Sequence, residues 1–175
     1  WARAEGLPLM VHAAESPAEV AFLARGEGPL REVYGRFAKT PWTPPGTTPV
    51  RHLHALGVLG PTTLLVHGVQ VDEEEVGLLA ETGTKVVLCP RSNANLEVGE
   101  APLALYAKHG VELALGTDSR GSSPDLDVKN EARFLWGRAE PRLLVRALTR
   151  GGYRALGLPT PRLTRGTPLS LVHFL

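Results

Sequence analysis

Thr63-Leu-Leu-Val-His67-Gly68 is the stretch that decides the fold, because a short apolar run ends there directly in a histidine and a glycine. A run of this length predicts a strand buried on both faces, as in the middle of a parallel sheet. Three further apolar runs, at 7–11, 85–88 and 111–115, also predict buried strands, and polar side chains follow each of them at once. In a parallel α/β sheet or barrel, the carboxyl ends of the strands are where ligands bind. The sequence therefore predicts an active site assembled from several strand ends.

Helix signals lie between these runs. Ser16-Pro17-Ala-Glu19 predicts a helix start with Ser16 as N-cap, proline at N1 and Glu19 closing a capping box. Successive strand–helix–strand units favour an α/β fold with parallel strands. Asp72 is expected to cap a further helix that Gly83 ends. The other helices are expected at about 49–56, 101–109, 126–138 and 141–156.

Residues 26–50 are rich in proline and aromatic side chains, and they predict an irregular segment. A long loop of this kind in a compact domain is usually functional or mobile. We interpret it as a lid or pocket wall, with an ordinary surface excursion as the alternative.

The amino-acid composition limits the classes of protein to which this chain can belong. A chain of 175 residues is long enough for one domain with a real core. Its 19 basic and 18 acidic residues give a net charge of +1, which offers no electrostatic case for nucleic acid or a membrane surface. The apolar runs are strand-sized, so no transmembrane helix is expected. A single cysteine excludes an internal disulfide framework and fits a cytoplasmic location. The first residue is Trp1 rather than methionine, which suggests that the chain begins inside something larger.

Four residues at the strand ends are candidates for chemistry. His12 and Glu15 are separated by two alanines, which leave room for a ligand or a metal. His67 is followed by a glycine that permits close backbone approach. Asp118 offers a carboxylate where a metal ligand or a proton acceptor is often needed, although aspartate also caps turns by local hydrogen bonds. For each residue alone, a structural role is the alternative.

Two other motifs are interpreted as structural. Cys89 follows a buried strand with no helix N-terminus or base to activate it, so we expect a packed, inert thiol. His52 and His54 have the spacing of a metal-binding His-x-His pair, but their segment reads as a helix. Residues i and i+2 on a helix lie about 200° apart and cannot bind one ion.

Four motifs occur in order along the chain: His-Ala-Ala-Glu at 12–15, Leu-Leu-Val-His-Gly-Val at 64–69, Cys-Pro-Arg-Ser-Asn at 89–93 and Gly-Thr-Asp-Ser at 116–119. As a set they resemble the second half of the amidohydrolase superfamily. The group they resemble contains deaminases and chlorohydrolases that act on adenosine-like, guanine-like and triazine rings. The resemblance implies strands 5–8 of a (β/α)8 TIM-type barrel over 1–157, and part of a small β-sandwich over 158–175.

The resemblance also implies roles for particular residues and a bound divalent metal, with zinc expected and iron the alternative. His12 and Asp118 would be metal ligands. Glu15 would be the proton shuttle, His67 would polarise the attacking water, and Asp118 would also act as its base. Ser92, Asn93 and Ser122 would support the site or face substrate. The implied reaction is hydrolytic deamination of a purine-type heterocycle, with an adenosine-derived nucleoside favoured; triazine dechlorination is the alternative within enzymes.

One departure from the family pattern concerns the His-x-His pair at the end of strand 1, which nothing in this chain supplies. A complete barrel needs about 250 residues. We therefore expect a fragment, a proteolytic product or a truncated gene product that pairs with an N-terminal half of the same barrel or with a second copy of itself. An isolated half-barrel would expose two long parallel-strand edges and apolar surface. A catalytically inactive half-barrel that serves as an interaction module is the alternative function.

Overall fold

A computed structural model describes residues 2, 4–38 and 40–160. Its centre is a four-stranded sheet in the order β1-β2-β3-β4, with every neighbouring pair parallel. The strands are β1 (Leu9–Ala13), β2 (Thr63–His67), β3 (Lys85–Leu88) and β4 (Leu113–Leu115). The predicted α/β class and the four predicted strands are confirmed.

Helices fill the connections and follow the last strand. Three lie between β1 and β2, one between β2 and β3, and two between β3 and β4. They are α1 (Pro17–Arg25), α2 (Pro29–Phe37), α3 (Pro49–Ala55), α4 (Glu73–Thr82), α5 (Pro90–Asn95), α6 (Leu103–His109), α7 (Val128–Phe134), α8 (Pro141–Arg146) and α9 (Gly152–Ala155), with a π-helical turn at Ala147–Gly151 between the last two.

Strand β2 lies inside the sheet, and all five of its residues are buried. Its register places His12 beside Val66 and Ala13 beside His67, so the ends of β1 and β2 lie level. Alternate residues point to opposite faces. Leu65 therefore joins the main apolar core with Val76 and Leu79 of α4, whereas Leu64 joins a smaller cluster with Ala114 and Ala155.

Strand β1 is an edge strand, and here the prediction of a buried strand was wrong. Leu7, Leu9 and Met10 are 44%, 39% and 53% exposed. The apolar sequence is the same kind as in β2, but only one side of β1 is paired among the described residues. The outer edge of β1 therefore presents an apolar surface.

Two predicted helix starts are confirmed, with one difference in detail. Asp72 caps α4 through a complete capping box with Glu75. Ser16 accepts a hydrogen bond from the Glu19 N–H at the start of α1, as predicted. The Glu19 carboxylate, however, accepts from the backbone N–H of Glu15 rather than from that of Ser16. The N-terminus of α1 is thereby tied to the strand-end segment that carries Glu15.

Residues 26–50 are not irregular throughout, because they contain α2. The missed signal is an apolar spacing of three and four residues: Leu30, Val33, Tyr34 and Phe37, after a proline at N1. Tyr34 lies against Phe22 and Trp42, whose rings stack at 4.1 Å between centroids. This aromatic contact holds the segment against α1. Its role as a lid stays a prediction.

The last helical segment covers the outer edge of β4. The carbonyls of Glu112 and Ala114 face β3 in the parallel ladder, so the Leu113 carbonyl points away from it. Gly151 of the π-helical turn sits against this carbonyl so closely that a Cβ at Gly151 would overlap the oxygen. The predicted helix over 141–156 is therefore present but interrupted at the point where it meets the sheet.

Among the described residues, no helix combines the length and the apolar character needed to cross a membrane. The predicted β-sandwich strands over 158–175 lie outside the described residues apart from 158–160.

Gly151 and Gly152 provide a matched test of this packing, since both have ordinary helical φ values of −57° and −59°. We expect Gly151→Ala to lower the free energy of unfolding by about 1–3 kcal/mol, because the methyl group meets the Leu113 carbonyl. Gly152→Ala should raise it by about 0.5–1 kcal/mol, because its Cβ would meet no atom within 4 Å and alanine favours the helix. Urea unfolding of both variants measures the difference. If both variants changed the free energy of unfolding equally, the close contact between Gly151 and the Leu113 carbonyl would be contradicted.

Candidate active site

Three potential ligand groups converge at the carboxyl edge of the sheet. One donor atom each from His12, His67 and Asp118 lies within 4.8 Å of the others. The two imidazole rings are 5.3 Å apart between centroids. His12 is exposed, His67 is buried and Asp118 is half-buried. The parallel register accounts for this convergence, since it brings the ends of β1, β2 and β4 to one side.

The backbone at these strand ends is unusual. Ala14, His67 and Asp118 have φ values of +52°, +75° and +59°, in the left-handed region that side chains rarely adopt. Such conformations cost about 1–3 kcal/mol each, and they gather at functional sites. Among the described residues, the only other non-glycine residue of this kind is Glu97. The concentration of left-handed residues at three strand ends marks this edge as the candidate site.

Hydrogen bonding fixes the ring of His67. Its Nδ1 lies 2.8 Å from Oδ1 of Asn93, and an amide oxygen can only accept, so Nδ1 carries the proton. In the neutral ring, Nε2 then carries a lone pair that can accept a hydrogen bond. Nε2 is buried and has no hydrogen-bond partner among the described residues. Asn93 thereby leaves His67 with an acceptor nitrogen directed at the site.

Glu15 faces this nitrogen. Its Oε1 lies 3.5 Å from Nε2 of His67, and its side chain is 28% exposed. The backbone N–H of Glu15 donates to Oε2 of Glu19 at 2.8 Å. Burial raises the pKa of Glu19 above its ordinary value, although the backbone N–H of Glu15 opposes this. Glu19 therefore anchors the backbone of Glu15, while the Glu15 carboxylate stays within reach of solvent and of His67.

Two serines hold the carboxylate of Asp118. Ser92 and Ser122 donate to the same oxygen, Oδ2, at 2.6 and 2.8 Å. Burial raises the pKa of Asp118, but these hydroxyl groups and the Ser119 N–H outweigh it, so the pKa lies below its ordinary value. Asp118 is therefore held in its ionised form. Ser92 and Ser122 are themselves buried.

Ser92, Asn93 and Ser122 thus lie in the site as supports of Asp118 and His67. Contact of any of the three with substrate stays a prediction.

Gly68 has a left-handed φ of +56°, and a Cβ there would overlap the Tyr106 hydroxyl, which donates to the Gly68 carbonyl. Gly68 therefore permits a close approach to the backbone after His67, as predicted. The sequence interpretation missed Tyr106, whose only signal was an aromatic residue within the predicted helix over 101–109.

Cys89 fits the prediction of an inert thiol, although one reason given for it was wrong. Cys89 is the N-cap residue of α5, so a helix N-terminus does lie beside it. Burial and the nearby charge of Asp118 nevertheless raise the pKa of the thiol to about 12. The thiol is therefore protonated at neutral pH and is a poor nucleophile.

His52 and His54 lie on α3, as predicted, with His54 exposed. Within residues 2, 4–38 and 40–160, the group of histidine, cysteine and acidic residues that meets the geometry of a metal site does not include them. The prediction that their spacing is misleading is consistent with this placement.

Comparison with known proteins decides the family. The model of the amidohydrolase family matches residues 1–174. The chain belongs to the amidohydrolase family. The resemblance expected from the four motifs is confirmed, and the four parallel strands are those of a partial TIM-type barrel.

The amidohydrolase relatives include two groups of deaminases. The chain is 43% identical over 182 aligned positions to an aminodeoxyfutalosine deaminase of Deinococcus radiodurans, covering 95% of this chain and 42% of the relative. It is 36% identical to a 5-methylthioadenosine/S-adenosylhomocysteine deaminase of Syntrophobacter fumaroxidans, covering 87% of this chain and 33% of the relative. The chain thus spans less than half the length of these relatives.

Solved amidohydrolase structures resemble the described fold. An adenosine deaminase from Xanthomonas campestris, determined with bound zinc, is 31% identical with a TM-score of 0.70, covering 89% of this chain and 34% of that one. A triazine hydrolase variant has a TM-score of 0.75 at 21% identity, covering 95% and 35%. The second similarity concerns the fold alone.

The two serines at Asp118 generate a prediction about pH. In Ser92→Ala, the pKa of Asp118 should rise toward its ordinary value, because a hydroxyl donor to Oδ2 is lost. We expect the free energy of unfolding at pH 7 to fall by about 1.5–3 kcal/mol, the range for a hydrogen bond to a charged group. The lowered pKa of Asp118 stabilises the fold only while the group is ionised, so this loss should shrink as the pH falls through the folded-state pKa. Carboxyl 13C NMR titration and urea unfolding measure both effects.

Ser123→Ala is the matched control. Ser123 is also buried, but its hydroxyl donates to the backbone carbonyl of Asp125 at 3.0 Å. Its removal should lower stability by about 0.5–1.5 kcal/mol and leave the pKa of Asp118 in place. An equal rise of that pKa in both variants would show that Ser92 has no specific role.

Proposed function

We propose that the protein containing this chain is a zinc-dependent hydrolase that deaminates an amino-substituted purine, with adenosine-derived nucleosides as the favoured substrates. The observation that carries this proposal is the convergence of His12, His67 and Asp118 around a buried imidazole nitrogen that has no hydrogen-bond partner in the described part of the chain. The deaminase relatives support the reaction class. The triazine hydrolase similarity supports the fold only, so dechlorination is the less favoured reaction.

The residues present fit a zinc ion. Zinc binds imidazole nitrogen and carboxylate oxygen, and catalytic sites commonly have three protein ligands and one open position. In our proposal, His12 and Asp118 hold the ion from this chain, and further ligands come from outside it. The low pKa of Asp118 favours this role, because a ligand must be ionised. When bound, zinc supplies Lewis acidity that makes a water molecule nucleophilic at neutral pH.

His67 and Glu15 would act on water and substrate. Nε2 of His67 is an acceptor, so it can orient the attacking water by accepting its hydrogen, and the ionised Asp118 can take the proton that the water loses. Water attacks the ring carbon that bears the amino group. Glu15, partly exposed beside His67, would deliver a proton to the ring nitrogen. It would then take the proton of the new hydroxyl group as the carbonyl forms and give it to the departing amine. The proton held by Asp118 would finally return to Glu15. The balanced reaction is amine plus water giving the ring carbonyl and ammonia.

A partner would complete the site. The outer edge of β1 is unpaired among the described residues and exposes Leu9 and Met10. An unpaired apolar edge strand favours pairing with another strand. We propose that an N-terminal half of the same barrel, or a second copy of this chain, pairs along β1 and supplies the missing ligands. The alternative is an inactive half-barrel that uses this edge only for interaction.

Zinc binding tests the proposal first. His12→Asn removes a proposed imidazole ligand. In the complete assembly, it should weaken the affinity for zinc by at least about 100-fold, which exceeds the usual effect of losing a residue that only hydrogen-bonds to a ligand. His54→Asn should leave the affinity unchanged, because His54 lies exposed on α3. Competition with a chelator and metal analysis provide the measurement. Absence of stoichiometric zinc from the unmodified assembly would contradict the enzyme proposal and favour the inactive half-barrel.

Glu15→Gln tests the proton transfer. It preserves the shape of the side chain but removes the acid, so kcat for ammonia release from S-adenosylhomocysteine, aminodeoxyfutalosine or adenosine should fall by about 10²–10⁴-fold, with zinc content unchanged. Glu27→Gln is the control, since Glu27 is exposed and pairs with Arg25. A kcat equal to that of the unmodified assembly would remove Glu15 from the mechanism. Ammonia release by the chain alone, without a second half or copy, would contradict the proposed partner.

A further inference from the structure

A cluster of charged residues lies behind the candidate site, joined to it by α5. We define the Arg91 network as Arg91, Asp125 and Glu131. We propose that these three are positioning residues, which hold α5 so that its next two residues fix both His67 and Asp118. The roles of His67 and Asp118 rest on the proposed function, whereas their positions do not.

Helix α5 is the element that both site residues depend on. Ser92 donates to Asp118, and the adjacent Asn93 accepts from His67, so two neighbouring residues reach groups at the ends of β4 and β2. A small rotation of α5 would disturb both contacts. Helix α5 has only six residues, and its N-cap residue Cys89 provides no side-chain hydrogen bond. Short helices without caps are weakly stable by themselves, so α5 needs outside support.

Glu131 of α7 supplies part of this support. It is fully buried, and its Oε2 accepts from the backbone N–H of Arg91 at 3.0 Å. This N–H belongs to the first turn of α5, where no carbonyl of the helix can accept from it. A carboxylate at that end also interacts favourably with the helix dipole. Glu131 therefore takes the place of the missing cap.

Asp125 supplies the rest. Both of its oxygens accept from the Arg91 guanidinium, at 2.9 and 2.8 Å. The carboxylate also accepts from the backbone N–H of Asp127 at 2.9 Å and from the side chain of Asn130 at 3.1 Å. The Arg91 guanidinium holds the pKa of Asp125 well below its usual range. Such a two-point pair is directional as well as strong.

The consequence is a closed chain of contacts. The segment after β4 carries Asp118 and Ser122 at one end and Asp125 at the other, and Asp125 binds the residue directly before Ser92. The network and the candidate site thus share α5 and this segment. The network thereby holds α5 against the segment after β4, although none of the hydrogen bonds and ion pairs of its three residues is with His12, His67 or Asp118.

The test uses the complete assembly with 15N-labelled histidine and without metal. The chain has six histidines, so the ring signals of His67 are separable once His67→Asn identifies them. In the unmodified protein we expect a protected Nδ1–H signal, since the buried ring donates to Asn93. Arg91→Lys cannot form the two-point pair, and Asp125→Asn removes its charge. Both should lose the protected signal, and the double variant should resemble the single variants, because the residues act as a unit.

Arg146→Lys is the matched control. Arg146 also makes a two-point pair with a carboxylate, that of Glu112 before β4, at the end of the strand opposite Asp118. The Nδ1–H signal of His67 in the Arg146→Lys variant should equal that in the unmodified protein. Retention of the signal in folded Arg91→Lys and Asp125→Asn would overturn the proposal. Equal loss in the Arg146→Lys control would also overturn it, since the effect would then be general loosening.

Zinc affinity provides the second measurement. Positioning residues behind ligands typically contribute about 10–100-fold, so Arg91→Lys and Asp125→Asn should weaken zinc binding by that factor and Arg146→Lys should not. If Asp125→Asn does not fold, Arg91→Lys and Glu131→Gln decide the question. Failure of the unmodified assembly to bind zinc would count against the proposed function, and the His67 signal would still decide the role of the network.

Discussion

Parallel pairing of the four strands is the constraint on which the rest of the structure depends. It forces every strand to end at the same edge, so residues more than fifty positions apart in sequence become neighbours. His12 and Asp118 meet in this way, with β2 and β3 between their strands. The helical connections follow from the same constraint, because parallel strands need a crossover to return to their starting end.

This arrangement costs conformational free energy at the strand ends. Ala14, His67 and Asp118 adopt left-handed backbone conformations, and the structure offsets them with local contacts. Asn93 fixes the ring of His67, and Ser92 contributes to the ionised state of Asp118. These supporting residues come from one short helix, so the geometry of the site depends on how firmly that helix is held.

Much of the fold was predictable, because its signals are local. The central strand β2 and the caps at Ser16 and Asp72 were correctly placed, since each rests on residues a few positions apart. The segment 26–50 was misread because its prolines masked the apolar spacing of α2. The exposure of β1 does not follow from the strand's own composition, because burial depends on the neighbouring strands of the sheet. It does follow from the expectation of a half-barrel, which leaves strand edges uncovered.

The sequence by itself determined the family, the four strands and the identity of the strand-end residues, since motifs and apolar runs are properties of the chain alone. Only the tertiary structure decided how these residues are used. It left Nε2 of His67 without a hydrogen-bond partner among residues 2, 4–38 and 40–160. It also brought the donor atoms of three of these strand-end residues within 4.8 Å and turned Ser92 and Ser122 toward one oxygen. Such contacts join residues 26 positions apart or more in most cases, and their distances follow from strand register and helix packing, which no local pattern encodes.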